Sequence, residues 1–155
     1  QHGKFGLTPD ASRAAALFLA AARKADLTAM VMWGNCLEKG IGVPINYAKA
    51  MAQFRRAMAK GSAEAIWRCG LLFEHGRGVE RNDRQAVRWY EEASQHGCIE
   101  AQRCLGNMYR RGRGVVADRK RASHWLERAA QAGDADAKAI LAYLLTQPDV
   151  GNQTT

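Results

Sequence analysis

The sequence predicts an all-α fold, an α-α superhelix or solenoid of about four stacked helix pairs. Three observations predict it: a loop phrase that recurs, apolar residues that recur with the same period, and helical spacing of those residues within each unit. The loop phrase has the form Gly-x-Gly-Val and begins at residues 40, 76 and 112, so its period is 36 residues. A fixed period of this size is typical of repeat arrays and not of a single folded core.

The apolar residues keep this register with no insertion or deletion between copies. Small residues recur at Gly34, Gly70 and Gly106, at Ala50, Ala86 and Ala122, at Ala57, Ala93 and Ala129, and at Gly61, Gly97 and Gly133. Large apolar residues recur at Leu37, Phe73, Tyr109 and Leu145, and at Phe54, Tyr90 and Leu126. Their spacing within a unit predicts two helices per unit, each with one buried face.

The first helix of the first full unit is expected from Leu27 to Glu38, and Gly34 on its buried face would let a neighbouring backbone come close. The first loop glycine then supplies the positive φ that ends the helix, the second leaves no room for a Cβ, and Val43 fills the gap between the two helices. The six structural loop glycines are Gly40, Gly42, Gly76, Gly78, Gly112 and Gly114.

The second helix of each unit needs an N-cap, and Asn46, Asp83 and Asp118 are the side chains expected to supply it. That helix buries residues such as Ala50, Phe54 and Ala57, and the glycine in register with Gly61 closes the unit. The sequence therefore assigns both a start signal and a stop signal to every helix pair.

The register divides the chain into a single array with short ends. The array covers residues 10–146, with full units at 27–60, 63–96 and 99–132 and half units at 10–24 and 135–146. Residues 1–9 are expected to be a frayed lead-in and residues 147–155 a flexible tail. The apolar run at residues 14–22 resembles a signal-peptide core. However, Ala14, Phe18 and Ala21 are in register with Ala50, Phe54 and Ala57, which favours a helix of the array.

These positions resemble the Sel1-like repeat, a relative of the tetratricopeptide repeat. The third copy shows the resemblance best, with Ala101, Leu105, Gly106, Tyr109, Gly112, Gly114, Val115, Asp118, Ala122, Trp125, Ala129, Ala130 and Gly133. The first copy departs most, with Trp33 at the usual Leu position. The resemblance implies a right-handed superhelix of antiparallel helix pairs whose first helices line a concave face. It also favours a bacterial periplasmic, envelope or secreted protein, and leaves the cytoplasm open.

The four cysteines raise the question of disulfides. Some cysteine-rich proteins that this chain resembles bridge the two helices of each repeat. Here Cys36, Cys69 and Cys104 fall on first helices, and Cys98 lies just before one. We therefore expect free and mostly buried thiols. The pair formed by Cys69 and Cys104, at a similar height on adjacent first helices, stays as the one to test.

The residues that catalysis or metal binding would need are scattered. His2, His75, His96 and His124 fall in separate parts of the repeat pattern, and no H-E-x-x-H, C-x-x-C or G-x-S-x-G motif occurs. The Gly-x-Gly-Val loops lack the longer frame of a phosphate-binding loop. No apolar run reaches the roughly 18 residues of a membrane span. We expect no enzymatic activity, no cofactor and no metal.

Binding is expected on the concave face, where the register predicts side chains that the core does not need. Trp67 and Leu71 lie at the centre of this face, and a central aromatic with a charged rim is typical of a binding hot spot. The alternative is that Trp67 fills a packing gap beside the next helix. The partner-binding residues predicted in this way are Val31, Asn35, Glu38, Glu64, Trp67, Leu71, Glu74, Glu100, Arg103, Asn107, Arg110 and Tyr143.

The sequence thus predicts a monomeric, non-enzymatic scaffold or adaptor that binds a peptide or protein segment on its concave face. The formal net charge of +8 leaves one alternative open. A basic adaptor for an anionic polymer (nucleic acid, acidic glycan or envelope surface) could use Arg103, Arg110, Arg111, Arg113, Arg119, Lys120, Arg121 and Arg128 of the third unit. These charges are spread over two helices and a loop without stacking aromatics between them, so nucleic acid is not the expected partner.

Overall fold

A computed structural model describes residues 8–148, and within that range the chain forms eight α-helices and no strand. The helices are α1 (Pro9–Arg23), α2 (Leu27–Lys39), α3 (Tyr47–Met58), α4 (Ala63–His75), α5 (Asp83–Gln95), α6 (Ile99–Arg111), α7 (Arg119–Gln131) and α8 (Ala135–Thr146). Each helix packs on its neighbours in chain order, most extensively in the pairs α2–α3, α4–α5 and α6–α7. The all-α solenoid is confirmed. The predicted lead-in and tail lie mostly outside the described residues, although Pro9 already belongs to α1.

The two helices of each pair meet where a large side chain of the second helix lies on a glycine of the first. A Cβ added at Gly70 would overlap the ring of Tyr90, and equivalent overlaps join Gly34 to Phe54 and Gly106 to Leu126. The three large side chains are completely buried. The sequence predicted a close approach at these glycines, but the approaching group is a side chain and not a neighbouring backbone.

The loop glycines act at the two positions that the sequence predicts. Gly40, Gly76 and Gly112 end their helices in the left-handed conformation, with φ of 72°, 63° and 64°. The second glycine of each loop lies against the start of the preceding second helix, and Gly114 in this way meets the backbone of Asp83. The missing Cβ therefore brings consecutive units into contact as well as the two helices of one unit.

Second-helix capping agrees with the sequence at two positions and differs at the third. Asn46 and Asp118 cap α3 and α7, each accepting a hydrogen bond from a backbone N–H. The prediction for Asp83 is wrong, because Asn82 caps α5 by accepting from the N–H of Gln85 at 3.0 Å. Asn82 is the residue in register with the other two caps, and Asp83 is the first residue of the helix. The Asp83 carboxylate is thereby free to bind arginines.

We expect Gly114→Ala to destabilise the protein much more than Gly97→Ala. Both glycines have positive φ, but an added Cβ meets the Asp83 backbone at residue 114 and nothing within 4 Å at residue 97. Strain of the left-handed conformation costs about 1 kcal/mol in each variant, and steric overlap adds about 1–3 kcal/mol at residue 114 alone. Urea unfolding of both variants measures the difference. Equal losses of stability would contradict the proposed unit-to-unit contact.

Candidate binding groove

A cavity of about 240 Å³ opens between α4 and α6, the first helices of the second and third units. Sites for small organic ligands usually enclose about 300–1,000 Å³, so this volume is close to the size of one or two side chains. Its lining residues are Trp67, Leu71, Glu74, His75, Arg103, Cys104, Asn107, Met108, Arg111 and Arg113.

The two walls of the cavity use the same repeat positions with opposite chemistry. α4 contributes Trp67, Leu71 and His75, which lie one helical turn apart, and α6 contributes their equivalents one period later. Those equivalents are Arg103, Asn107 and Arg111. The α4 wall thus carries two large apolar side chains at the positions where the α6 wall carries a guanidinium group and an amide, and a second guanidinium stands opposite His75.

Trp67 is held in place by its surroundings and still lines the cavity. It packs against the hydrophobic core, and the guanidinium of Arg68 lies 4.7 Å from the centre of its ring. Its indole nitrogen is buried and finds no hydrogen-bond partner that meets normal geometry. Burial raises the pKa of the neighbouring Cys104 thiol, and the Trp67 N–H acts in the opposite direction as a weak donor to the sulfur. The gap-filling alternative and the cavity-lining role therefore both apply to this side chain.

One rim of the cavity is a network of ion pairs around Arg113. Its guanidinium donates to Glu74 at 3.1 Å and to both carboxylate oxygens of Asp83 at 3.1 and 3.2 Å. The buried Tyr90 hydroxyl donates to the other oxygen of Glu74. Hydrogen bonds from Arg81 and Arg113 hold the pKa of the Asp83 carboxyl below its usual value. The network joins the loop of the third unit to both helices of the second.

The same contact occurs one period earlier. Arg77 donates to Glu38 at 3.1 Å, as Arg113 does to Glu74, and Arg68 lies 3.8 Å from the second Glu38 oxygen. Glu38 and Glu74 are 36 residues apart, as are Arg77 and Arg113. In the third unit the equivalent of the glutamates is Arg110, which donates to Asn107. The ion pair is therefore a repeated link between units.

Four segments of the chain, residues 1–26, 27–62, 63–98 and 99–134, match the model of the Sel1 repeat. The chain belongs to the Sel1 repeat family. Sel1 repeats are generally protein–protein interaction modules. The last three segments agree with the 36-residue units that the sequence predicts.

Similar solved structures come from bacteria. A Sel1 repeat protein from Oxalobacter formigenes is 30% identical in sequence, with a TM-score of 0.83. The match covers 92% of this chain and 58% of that protein, so this chain spans less than two thirds of its length. A protective antigen of uropathogenic Escherichia coli strains, displaying an SLR fold, is 26% identical with a TM-score of 0.77. That match covers 93% of this chain and 31% of the antigen. Helicobacter pylori cysteine rich protein B is 23% identical with a TM-score of 0.67, and the match covers 90% of this chain and 100% of that protein. This likeness shows the fold alone. No curated protein matches.

Of the twelve predicted binding positions, the Sel1 array brings five together around the cavity. These are Trp67, Leu71, Glu74, Arg103 and Asn107. Glu64, Glu100 and Tyr143 are exposed on their first helices away from the cavity, and Arg110 is half-buried. The prediction missed His75 and Arg111, which the register could have supplied, since each lies one turn beyond a predicted residue.

Three predicted positions differ from the expectation of an open surface. Val31, Asn35 and Glu38 are buried, with 4%, 8% and 4% of their surface exposed. Val31 joins the core cluster of the first two units, and Glu38 is covered by its arginine partners. The open face of the first helices that the sequence predicts is therefore buried in the first unit at positions whose equivalents line the cavity or lie beside it in the second and third units.

Several arginines of the basic third unit make hydrogen bonds to other groups of the protein. Arg103 donates to Asp134 at 3.0 Å, and Arg119 donates to the carbonyl oxygens of Leu144 and Gln147 at the end of α8. Arg121 donates to the hydroxyl of Tyr109. These arginines act as links between Sel1 helices, so the net charge does not form a continuous stripe of unpaired cations.

Over residues 8–148, no group of three or more His, Cys, Asp or Glu side chains is arranged to hold a metal ion. In the same part of the chain, every helix is too short or too polar to cross a membrane.

All four cysteines are free thiols in the structure. Cys36, Cys69 and Cys98 are buried and Cys104 is half-buried. Burial raises the pKa of Cys69 and of Cys98 to about 12, and it also raises that of Cys36 and Cys104. Since the thiolate is the reactive form, none of these thiols is prepared to act as a nucleophile near neutral pH.

The native protein should therefore react slowly with a disulfide reagent such as DTNB at pH 8. We expect less than one equivalent in the first minutes, with Cys104 the first to react, and four equivalents once guanidinium chloride unfolds the chain. The thiol count with and without denaturant measures this directly. Only two equivalents from the unfolded, unreduced protein would show a disulfide, and a Cys69→Ser, Cys104→Ser double variant would show whether those two form it.

Replacing Arg113 by methionine should cost about 1–3 kcal/mol near pH 7, because Glu74 and Asp83 lose a charged hydrogen-bond donor. The folded-state pKa of Asp83 is depressed, so its contribution is complete above its unfolded pKa of about 4 and is lost as the pH falls through the folded value. The stability gap between wild type and variant should therefore narrow below about pH 4. Urea unfolding at pH 7, 5 and 3 tests it, with Arg88→Met on exposed α5 surface as the matched control. A gap that stays constant with pH would contradict the ion-pair account.

Proposed function

We propose that this Sel1 repeat array is a non-enzymatic scaffold that holds a segment of another protein across the concave surface of α4 and α6. The observation that carries the proposal is the placement of Trp67 and Leu71. Both are large apolar residues in half-buried positions, and both line an open cavity beside charged side chains. A large aromatic that is already held in place loses little entropy on binding, which makes it a good anchor for a partner.

The shape of the cavity supports a peptide segment over a small molecule. Its volume suits a side chain, and its two walls belong to neighbouring repeats, so a chain lying across the helices would continue beyond it on both sides. Recognition of an extended segment by a groove of this kind uses pockets for a few side chains. The internal pairing of Arg103, Arg113, Arg119 and Arg121 supports this reading over a general anionic polymer.

The relatives with solved structures are bacterial, and we extend that origin to this protein. We propose that the array acts as a monomer. By resemblance to its relatives we place it in the cell envelope or outside the cell, where its buried thiols would be protected from oxidation.

Trp67→Ala should weaken binding of a selected peptide by about 30-fold or more, as loss of a hot-spot aromatic costs about 2 kcal/mol or more. The probes are peptides of twelve residues selected from a random display library on the wild-type protein, with affinity measured by fluorescence anisotropy.

The matched control is Trp125→Ala, which removes a half-buried tryptophan from the second helix α7, outside the cavity. It should change peptide affinity by less than about threefold, and circular dichroism should show both variants helical. Equal peptide affinity for wild type and a folded Trp67→Ala variant would remove the basis of the proposal.

A further inference from the structure

We propose that the segment bound in the groove carries a bulky apolar side chain against α4 and a carboxylate side chain against α6, about three residues apart in an extended chain. This inference rests on the proposed function and specifies the chemistry of the bound segment. It follows from the unequal walls of the cavity, from the hydrogen-bonding groups left open on them, and from the distance between the two helices.

The part of the α4 wall between Trp67 and Leu71 suits an apolar group, whereas His75 and Glu74 lie at its end. Trp67 and Leu71 form this part, and the indole N–H, the one polar group of the pair, is buried away from solvent. Glu74 at its end already accepts hydrogen bonds from Tyr90 and Arg113. A polar side chain placed here would lose water without gaining a partner, whereas an apolar one gains about 25 cal/mol for each Å² buried.

The α6 wall has donors without acceptors. Arg111 is exposed and makes no ion pair or side-chain hydrogen bond with any residue from 8 to 148. Arg103 uses its Nε to bind Asp134, and its two terminal nitrogens bond to no residue in that range. Arg113, by contrast, is fully engaged. A planar group with two acceptor oxygens binds a guanidinium best, and Arg111 is the one on this wall without a partner among residues 8–148, which points to a carboxylate beside Arg111.

The spacing follows from helix packing. Packed helices lie about 8–10 Å apart, and α4 and α6, which both pack on α5, lie at least that far from each other. A chain in the extended polyproline II conformation advances about 3.1 Å per residue and returns its side chains to the same face every third residue. A chain that crosses from α4 to α6 therefore uses about three residues between the two walls. The minimal pattern is an apolar residue, two residues of any kind, and Glu or Asp. Tyr143 of α8 occupies the same register position as Leu71 and Asn107 and is exposed, so a bound chain that continues past α6 is expected, and an internal side-chain carboxylate fits such a chain better than its terminus.

The test compares peptides selected from a random twelve-residue display library on wild type and on Arg111→Glu. Wild type should enrich the apolar-x-x-acidic pattern, and Arg111→Glu should enrich lysine or arginine at the acidic position. In anisotropy measurements, changing the acidic residue of a selected peptide to its amide should weaken binding to wild type about tenfold or more. The same change should have little effect on, or improve, binding to Arg111→Glu.

The matched control is Arg88→Glu, which makes the same change of net charge on the exposed surface of α5. It should keep the acidic preference of wild type, which separates a local carboxylate site from general attraction to a basic protein. Three results would each overturn the inference. They are loss of the acidic preference in both variants, no enrichment of acidic residues on wild type, and a need for a free C-terminal carboxylate. Peptides that need Trp67 but no acid would overturn it and leave the proposed function standing. Peptides indifferent to Trp67 would remove both.

Discussion

The structure depends on the absence of a Cβ at two positions of every unit. One glycine lies in the middle of the first helix, and the large side chain of the second helix packs directly on it, as Tyr90 does on Gly70. The other lies in the loop and meets the start of the preceding second helix, as Gly114 meets Asp83. Because both contacts are close, neither helix can shift along the other without a clash, and the 36-residue register is fixed.

This fixed register has an electrostatic consequence. In the second and third units the loop residue between the two glycines is an arginine. It forms an ion pair with the glutamate one residue before the end of the first helix in the preceding unit. Each link is partly buried, so removing one partner would leave the other charge poorly hydrated and would destabilise the protein. The arginines that make the sequence basic are for this reason largely structural.

The fold could be predicted from the sequence because a period is visible without knowing any contact. The register gives the helices, the loop glycines, the close approach at the helix glycines and the caps. It did not show that a side chain makes that approach, and the prediction for Asp83 failed where the register was not followed. The groove was harder to predict. Helical spacing shows that Val31, Trp67 and Arg103 share one position, but it does not show that Val31 is buried while the other two line a cavity. Likewise, the sequence shows many arginines, but only the structure shows which of them are paired with carboxylates or other acceptors.

The glycine contacts and the ion-pair links together explain why the groove lies between the second and third units. The glycines that fix the register are the same in every full unit, whereas residues on the open face of the first helices vary from unit to unit. There, Trp67 and Arg103 occupy equivalent sites with opposite chemistry, and the cavity forms at the boundary where apolar residues give way to cations. A regular stack can thus carry an irregular site, since the positions of Trp67 and Arg103 take part in neither the glycine contacts nor the ion-pair links between loop arginine and glutamate. Specificity in such an array comes from the difference between neighbouring repeats, and the repeated residues supply the rigid support that holds that difference in place.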